Sequence, residues 1–295
     1  MDKSRVYAIF AVTFAVVAWG ASFIATKVAL RDVSPVTVVW LRFLMGVLIL
    51  GMAVVWRRQI AIPKLRELGY FTILGFLGIT FHQWLQSTGL LTAQASTTAW
   101  IVATTPIFIA LLGWIALKEK LGWLQGVGII LAAMGVFWVV SAGDLTALAE
   151  GSFGTPGDFL ILISAVNWAV FSVISRRGLQ RYPTAMMMFY VMLFGWIFSS
   201  GLFFAGPGVG EIGLLTTTGW LGILFLGVAC SGLAYIFWYD ALAALPAAQA
   251  GAFLYIEPIV AVVVAAIILG EAVTIASILG GAAILLGIWM VNRNI

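Results

Sequence analysis

The feature that most constrains this chain is a series of long apolar runs separated by short polar segments. The runs fall near residues 6–30, 35–56, 69–91, 95–117, 121–141, 157–176, 183–205, 216–242, 247–269 and 273–292. About 20 consecutive apolar residues cross a bilayer as an α-helix. Each run is continuous, whereas strands of a membrane β-barrel alternate apolar and polar residues. The sequence therefore predicts an all-α integral membrane protein with ten transmembrane helices in the lipid bilayer.

Composition agrees with a membrane location and limits the other classes of protein. Of the 295 residues, 63% are hydrophobic and 9% are charged, whereas soluble domains carry about 25% charge. The net charge of +4 does not indicate nucleic-acid binding, because the basic residues cluster between the apolar runs. The single cysteine, Cys230, excludes an intramolecular disulfide and a cysteine metal cluster. We expect no metal and no cofactor.

The distribution of basic residues predicts the orientation of the chain. If the N-terminus is cytoplasmic, most of the 15 lysines and arginines lie in cytoplasmic segments, and Lys27 and Arg31 lie near the first outer turn. The outer loops instead carry Asp144, Glu150 and Glu211. Cytoplasmic loops of membrane proteins are enriched in Lys and Arg. Both termini are therefore expected in the cytoplasm, with the protein in the inner (cell) membrane.

The two halves of the chain resemble each other at an offset of about 150 residues. An odd number of helices in each half, five, requires the second half to enter the membrane inverted. The sequence thus predicts two inverted five-helix repeats, residues 1–145 and 146–295, an arrangement typical of secondary transporters. The matching features are Phe76-Leu77-Gly78 with Phe225-Leu226-Gly227, Thr105-Pro106 with Glu257-Pro258, Lys118-Glu119 with Gly270-Glu271, and Gly128 and Gly135 with Gly280 and Gly287.

A family resemblance rests on Trp19-Gly20-Ala21-Ser22-Phe23, Leu41-Arg42-Phe43, Pro106 with Lys118-Glu119, and Glu257-Pro258 with Leu269-Gly270-Glu271. With these motifs the chain resembles the drug/metabolite transporter superfamily, in its ten-helix EamA-type branch. Its tryptophan-rich sequence is most similar to the YddG-type exporters of aromatic and other neutral amino acids. The resemblance implies export of amino acids through a central cavity formed by predicted helices 3, 4, 8 and 9, with support from helices 1 and 6.

Polar and aromatic side chains inside the predicted helices are the candidate substrate contacts. Polar groups in a bilayer usually face the bundle interior or a water-filled cavity. Aromatic walls with a few hydrogen-bonding groups suit an amphipathic solute. The candidates are Trp19, His82, Gln86, Thr97, Trp100, Asn167, Trp168, Tyr235, Tyr239, Phe253 and Glu257.

Each ionisable candidate has a structural interpretation beside the functional one. His82 either joins two helices by a hydrogen bond or contacts substrate and handles protons. Glu257, before Pro258, either binds a substrate ammonium or couples transport to protons, or it is a buried carboxylate that braces helix packing. Arg42 is expected to be structural, Lys27 to extend to the interface, and Asp240 to form a gate or lie solvated at a helix end.

Transport is the leading hypothesis, with amino acids, other metabolites or amphipathic drugs as the cargo. An intramembrane enzyme using Ser231 and His82 is the alternative from another class, but we expect no enzyme because no distinctive catalytic motif occurs. Small-residue spacings in predicted helices 5 and 10 indicate close packing within the bundle or in a homodimer. Proton coupling, net direction and oligomeric state stay open.

Overall fold

The computed structural model describes residues 3–59, 62–118, 120–144, 146 and 153–293. These residues form helices and connecting turns, with no strand among them. A short helical segment, Gly208–Glu211 with Ile212–Leu214, precedes the eighth helix. The main helices are α1 (Lys3–Ala29), α2 (Pro35–Trp56), α3 (Leu65–Gly75, Phe76–Phe81 and His82–Gly89), α4 (Ala95–Ala103 and Thr105–Leu117), α5 (Trp123–Val140), α6 (Pro156–Leu179), α7 (Thr184–Ala205), α8 (Thr217–Leu224, Phe225–Leu233 and Ala234–Ala244), α9 (Ala247–Phe253 and Ile256–Leu269) and α10 (Ile275–Asn292).

Within the described part of the chain, nine helices are long and apolar enough to cross a membrane. The prediction of an all-helical, multi-pass membrane protein is therefore confirmed. The remaining long helix, α3, carries His82, Gln83 and Gln86 in its second half. The count of ten crossings stays a prediction.

The α3 helix nevertheless runs antiparallel along α6. Near the start of α3, the hydroxyl of Tyr70 donates to the carbonyl of Ile174 at 2.8 Å. At its other end, Gly89 lies against Gly157, where a Cβ on either residue would meet the backbone of the other. Because α6 is one of the nine apolar spans, α3 extends through the same depth of the bundle.

The outer surface of the bundle is strongly apolar. Ile267 is 77% exposed, Ile130 63% and Leu221 62%. Many polar side chains lie inside instead, and Arg42, His82 and Ser231 are each at most 5% exposed. This distribution, apolar outside and polar inside, places the helices in lipid rather than in water.

The same irregularities occur at corresponding places in the two halves. Both α3 and α8 contain a π-helical segment, Phe76–Phe81 and Phe225–Leu233. Both α4 and α9 are interrupted shortly before a proline, Pro106 or Pro258, whose ring cannot donate a helical hydrogen bond. A duplicated unit would produce this recurrence.

The ends of the same two interrupted helices also correspond. Lys118 and Gly270 end α4 and α9 in left-handed conformations, with φ of 56° and 69°. In the matching pairs Lys118-Glu119 and Gly270-Glu271, the first residues therefore share a backbone conformation. Glu119 lies outside the described residues, as does Glu150, which the orientation prediction uses.

Two pairs of glycines bring α5 and α10 together in antiparallel contact. A Cβ built on Gly128 would lie 2.6 Å from the carbonyl oxygen of Gly287, and one on Gly135 would lie 2.6 Å from that of Gly280. Only glycine permits backbones to approach this closely, which is the usual function of small residues between membrane helices. In α10 the contact uses Gly280 and Gly287, which belong to the predicted small-residue spacing. In α5 the predicted pair was Gly122 and Gly126, and a Cβ on Gly126 would meet nothing within 4 Å, so that part of the prediction is wrong.

Replacing Gly128 by leucine should separate α5 from α10, because the new side chain would overlap the backbone of Gly287. We expect a loss of about 1–3 kcal/mol in stability, as for overpacking of a dense core. Thermal unfolding of the purified protein in detergent measures the change. Gly126→Leu is the matched control, because a Cβ at Gly126 meets nothing within 4 Å. Equal destabilisation by both variants would contradict the close contact.

Candidate functional site

The candidate site is built around aromatic side chains from α1, α3, α6 and α8, here called the central cluster: Trp19, His82, Trp168, Tyr235 and Tyr239. Trp19 and Tyr235 pack edge to face with ring centroids 5.7 Å apart, and Tyr235 lies 6.4 Å from Tyr239. His82 packs on Trp168 at 4.6 Å. Trp19, Trp168, Tyr235 and Tyr239 pack in one continuous hydrophobic core. The structure thus groups Trp19 with Tyr235 and Tyr239, and His82 with Trp168, along one hydrophobic core.

The π-helical segments position side chains of this site. The indole Nε1 of Trp19 on α1 donates to the carbonyl of Cys230 in the second π-helical segment at 3.1 Å. In the same manner, Nδ2 of Asn167 on α6 donates to the carbonyl of Leu77 in the first one at 2.7 Å. A π-helical turn displaces the regular i→i−4 bonds, and such turns are frequent at functional sites. Each bond joins the first half of the chain to the second.

The guanidinium of Arg42 lies buried about two turns into α2. Its Nε donates to Oγ of Ser231 at 3.1 Å and its Nη1 donates to Oε1 of Gln83 at 3.0 Å. The guanidinium carbon also lies 5.0 Å from the ring centroid of Phe43. Arg42 therefore joins α2 to α3 and α8 through neutral groups.

Glu257 lies in the first turn of the second segment of α9, directly before Pro258. A Cβ on Gly20 of α1 would lie 2.6 Å from its backbone carbonyl oxygen, so α1 and α9 are in close contact beside Trp19. The Glu257 side chain is partly accessible. Its carboxylate forms no hydrogen bond or ion pair with another described residue, which leaves it free for a ligand or a proton.

Other predicted contacts lie away from the central cluster. Trp100 packs against Gly281 and donates from Nε1 to Oγ of Ser277 at 3.0 Å, between α4 and α10. Phe253 packs with residues of α1 and α8 in a separate apolar cluster. Gln86 and Thr97 are half-buried, and no hydrogen bond to another described residue fixes their side chains. Spacing along one helix places residues on a shared face but does not identify the helix opposite.

Two predicted charges form ion pairs near helix ends. Asp240 accepts from Nη1 and Nη2 of Arg57 at 2.6 and 2.8 Å, and these hydrogen bonds raise the pKa of Arg57. Nζ of Lys27 donates to the carbonyl of Ala93 at 2.6 Å and lies 4.0 Å from Oε1 of Glu271. Both pairs join segments from different halves: Arg57 with Asp240 joins α2 to α8, and Lys27 with Glu271 joins α1 to the connection between α9 and α10.

Glu271 also caps α4. Its carboxylate accepts from the backbone N–H groups of Ala95 and Ser96 at 2.8 and 3.0 Å, and from Oγ of Ser96. A carboxylate is favourable at a helix N-terminus, where free N–H groups carry partial positive charge. The Gly270-Glu271 motif therefore has a structural explanation in this chain.

The serine–histidine pair of the enzymatic alternative is not formed among the described residues. Nδ1 of His82 lies 3.1 Å from the backbone carbonyl of Ser164, while Ser231 accepts from Arg42. No Ser–His pair joins His82 to Ser231 in the described structure. The described residues likewise contain no group of three His, Cys, Asp or Glu side chains that could hold a metal ion.

Comparison with known proteins identifies the family. The sequence profile of the EamA-like transporter family matches residues 6–141 and again residues 155–293. The chain belongs to the EamA-like transporter family. The expectation of a transporter in the drug/metabolite superfamily is therefore confirmed at the level of the family, and the YddG-type resemblance stays a prediction.

Relatives of this EamA-like transporter cover almost its whole length. An uncharacterized transporter of Archaeoglobus fulgidus is 26% identical over 99% of both chains. A probable terminal-alkyne amino-acid exporter of Streptantibioticus cattleyicolor is 27% identical over 97% of this chain and 94% of that protein. A crystal structure that is 21% identical superposes with a TM-score of 0.69 over 98% of this chain and 99% of the other, which shows a shared fold.

Gln83 is the contact that the sequence interpretation missed. It lies beside His82 in an apolar helix and is 9% exposed. A buried arginine needs hydrogen-bond acceptors. The sequence signal for Gln83 was therefore an amide side chain inside another predicted span. Its pairing with Arg42 depends on the packing of α2 against α3, which spacing within either helix does not reveal.

The positions of two tryptophans lead to different expectations for the same substitution. Trp168→Phe should alter the relative exchange rates of different substrates, because Trp168 lies in the central cluster against His82. Trp100→Phe should leave those rates in the same order and lower stability by about 1 kcal/mol through the lost hydrogen bond to Ser277. Liposome exchange assays and thermal unfolding measure both effects. A changed order in Trp100→Phe alone would place the site elsewhere.

Proposed function

We propose that this transporter is a secondary carrier that exports small metabolites, chiefly aromatic and other neutral amino acids. Substrate enters a central cavity between two inverted five-helix halves, with both termini cytoplasmic and the protein in the inner membrane. Alternating access exposes the site to each side in turn. No ATP-binding motif is evident in the sequence, so existing gradients drive the movement of the solute.

The observation that carries this proposal is that contacts at the site cross between the halves. Arg42 bonds to Ser231, Trp19 packs on Tyr235, and His82 packs on Trp168. A solute bound among these groups would touch both halves at once. A relative movement of the halves would then change the access to the solute, as expected for a carrier with its site at a repeat interface.

Three observations support two inverted halves. The family profile matches twice, over residues 6–141 and 155–293. The π-helical segments occur in the third helix of each half. The antiparallel contact of α5 with α10 is also what inversion requires, because Gly128 meets Gly287 and Gly135 meets Gly280. In the repeat, Gly128 corresponds to Gly280 and Gly135 corresponds to Gly287. Exchanging the two halves therefore turns the Gly128–Gly287 contact into the Gly280–Gly135 contact, and the reverse.

The amino-acid cargo is supported by the chemistry of the site and by one relative. Aromatic rings of the central cluster offer apolar surface to a side chain, while Arg42 and Glu257 supply opposite charges. The relative from S. cattleyicolor is named a probable terminal-alkyne amino-acid exporter. Other metabolites and amphipathic drugs are the second class of cargo, because an aromatic lining also accommodates them.

Counterflow tests the carrier directly. Proteoliposomes loaded with an unlabelled amino acid should accumulate the same labelled amino acid transiently, because a carrier exchanges one molecule for another. A panel of radiolabelled aromatic, aliphatic and charged amino acids identifies the preferred cargo. Protein-free liposomes are the control. Formation of a chemically altered product, without exchange, would support the intramembrane enzyme instead.

Replacing Glu257 by glutamine should reduce amino-acid exchange at least about tenfold, because the neutral side chain loses its attraction for an ammonium group. Exchange measured with and without a pH gradient separates ammonium binding from proton coupling. Glu67→Gln is the control, since Glu67 is a half-buried capping residue at the start of α3, away from the central cluster, and glutamine also serves in a capping box. Wild-type rates in Glu257→Gln at every pH would exclude both functional interpretations of Glu257.

A further inference from the structure

A buried cation without an anionic partner lies at the centre of the bundle. Arg42 is 5% exposed within an apolar span, and a charged side chain inside a membrane is unfavourable unless it is paired. The ion pairs in the described part of the chain join Lys27 to Glu271 and Arg57 to Asp240. Neither neutralises Arg42.

The hydrogen bonds of Arg42 also leave donors free. Its two bonds go to Ser231 and Gln83, both neutral. A guanidinium carries more N–H groups than these two bonds use, and no other described side chain accepts from it. A planar fork of N–H donors matches the two oxygens of a carboxylate. The unused donors therefore fit a carboxylate that the protein itself does not supply there.

Most carboxylates of the described residues are already engaged elsewhere. Those that accept hydrogen bonds at helix ends or in the adjoining turns are Asp32, Glu67, Asp144, Asp158, Glu211, Asp240 and Glu271. Glu257 lies deeper, and it forms no ion pair with Arg42. The helices that carry Arg42 and Glu257 are linked through α8 and α1, since Arg42 bonds to Ser231 of α8 and Gly20 of α1 contacts Glu257.

Arg42 and Glu257 both adjoin the contact between Trp19 of α1 and Cys230 of α8. Cys230 precedes Ser231, the partner of Arg42, and its carbonyl accepts from Trp19, whose neighbour Gly20 contacts the backbone of Glu257. A site with a free cation and a free anion on either side of Trp19 complements a zwitterion. The carboxylate of the zwitterion would lie at Arg42, its ammonium at Glu257, and its side chain against the central cluster.

We propose that Arg42 binds the carboxylate of the transported substrate. This assignment rests on the proposed transport function and narrows the cargo to molecules that carry a carboxylate. The bonds to Ser231 and Gln83 use Nε and one N–H of Nη1, so Nη2 and the other N–H of Nη1 are available to the substrate. Lysine in its place would keep the charge and lose the planar fork.

Three ligands with the same phenyl ring test the assignment by binding to purified protein in detergent. Phenylalanine carries both charges, 3-phenylpropionate lacks the ammonium, and phenethylamine lacks the carboxylate. Wild-type protein should bind phenylalanine about tenfold to a hundredfold more tightly than phenethylamine, because only phenylalanine pairs with Arg42. Arg42→Gln and Arg42→Lys should each lose most of that preference.

Arg31→Gln is the matched control, because it removes the same charge from an exposed turn and should leave the preference unchanged. If one Arg42 variant fails to fold, the other variant still tests Arg42, and the comparison of phenylalanine with phenethylamine in the wild-type protein still tests recognition of the carboxylate. Equal wild-type affinity for phenylalanine and phenethylamine would overturn the assignment while leaving amino-acid transport intact. Retention of the full preference in a folded Arg42 variant would do the same.

The same binding experiment distinguishes the proposal of a carboxylate site at Arg42 from the proposal of an amino-acid cargo. Binding of 3-phenylpropionate that depends on Arg42, without binding or exchange of any amino acid, would support the carboxylate site and overturn the amino-acid cargo. Absence of binding by both phenylalanine and 3-phenylpropionate, together with absence of exchange across the amino-acid panel, would overturn both proposals.

Discussion

Lipid offers no hydrogen-bonding partner, and this constraint governs the rest of the structure. Each polar group inside the bundle must find its partner in its own helix, on another helix or in an internal aqueous space. Trp19 and Asn167 satisfy this requirement by donating hydrogen bonds to backbone carbonyls of π-helical segments. Arg42 meets it only in part, through Ser231 and Gln83. Three of these four bonds, all but the one from Arg42 to Gln83, bring helices of opposite halves together, so satisfying polar groups also assembles the site.

Glycine provides the complementary constraint on packing. Where no polar partner joins two helices, dispersion contacts must hold them, and these require backbones to approach. The α5–α10 contact does this through Gly128, Gly135, Gly280 and Gly287. Because this pair lies apart from the central cluster, the bundle has a tightly packed region and a more polar one. A carrier requires such a division, with one region holding the fold and the other admitting a solute.

The sequence predicted the helices and their type well, because about 20 apolar residues in succession have one structural solution in lipid. Hydropathy was least decisive for α3 as a membrane span, because the polar second half of this helix lowers its mean hydropathy. That same half supplies His82 and Gln83. The central cluster was predictable from aromatic and polar residues sharing a helix face, as with Tyr235 and Tyr239. Trp100 was indistinguishable from Trp168 in the sequence, because only the packing of α10 against α4 decides which tryptophan meets Ser277.

Cys230 is the only cysteine of the chain, and it lies fully buried beside Ser231, with its backbone carbonyl bound by Trp19. The native protein thus contains one thiol, already located next to the proposed site. Alkylation of the unaltered chain would report on the interior of the bundle alone, without background from other positions. Membrane-impermeant reagents applied to either face could follow the opening of the site without first removing or introducing any residue.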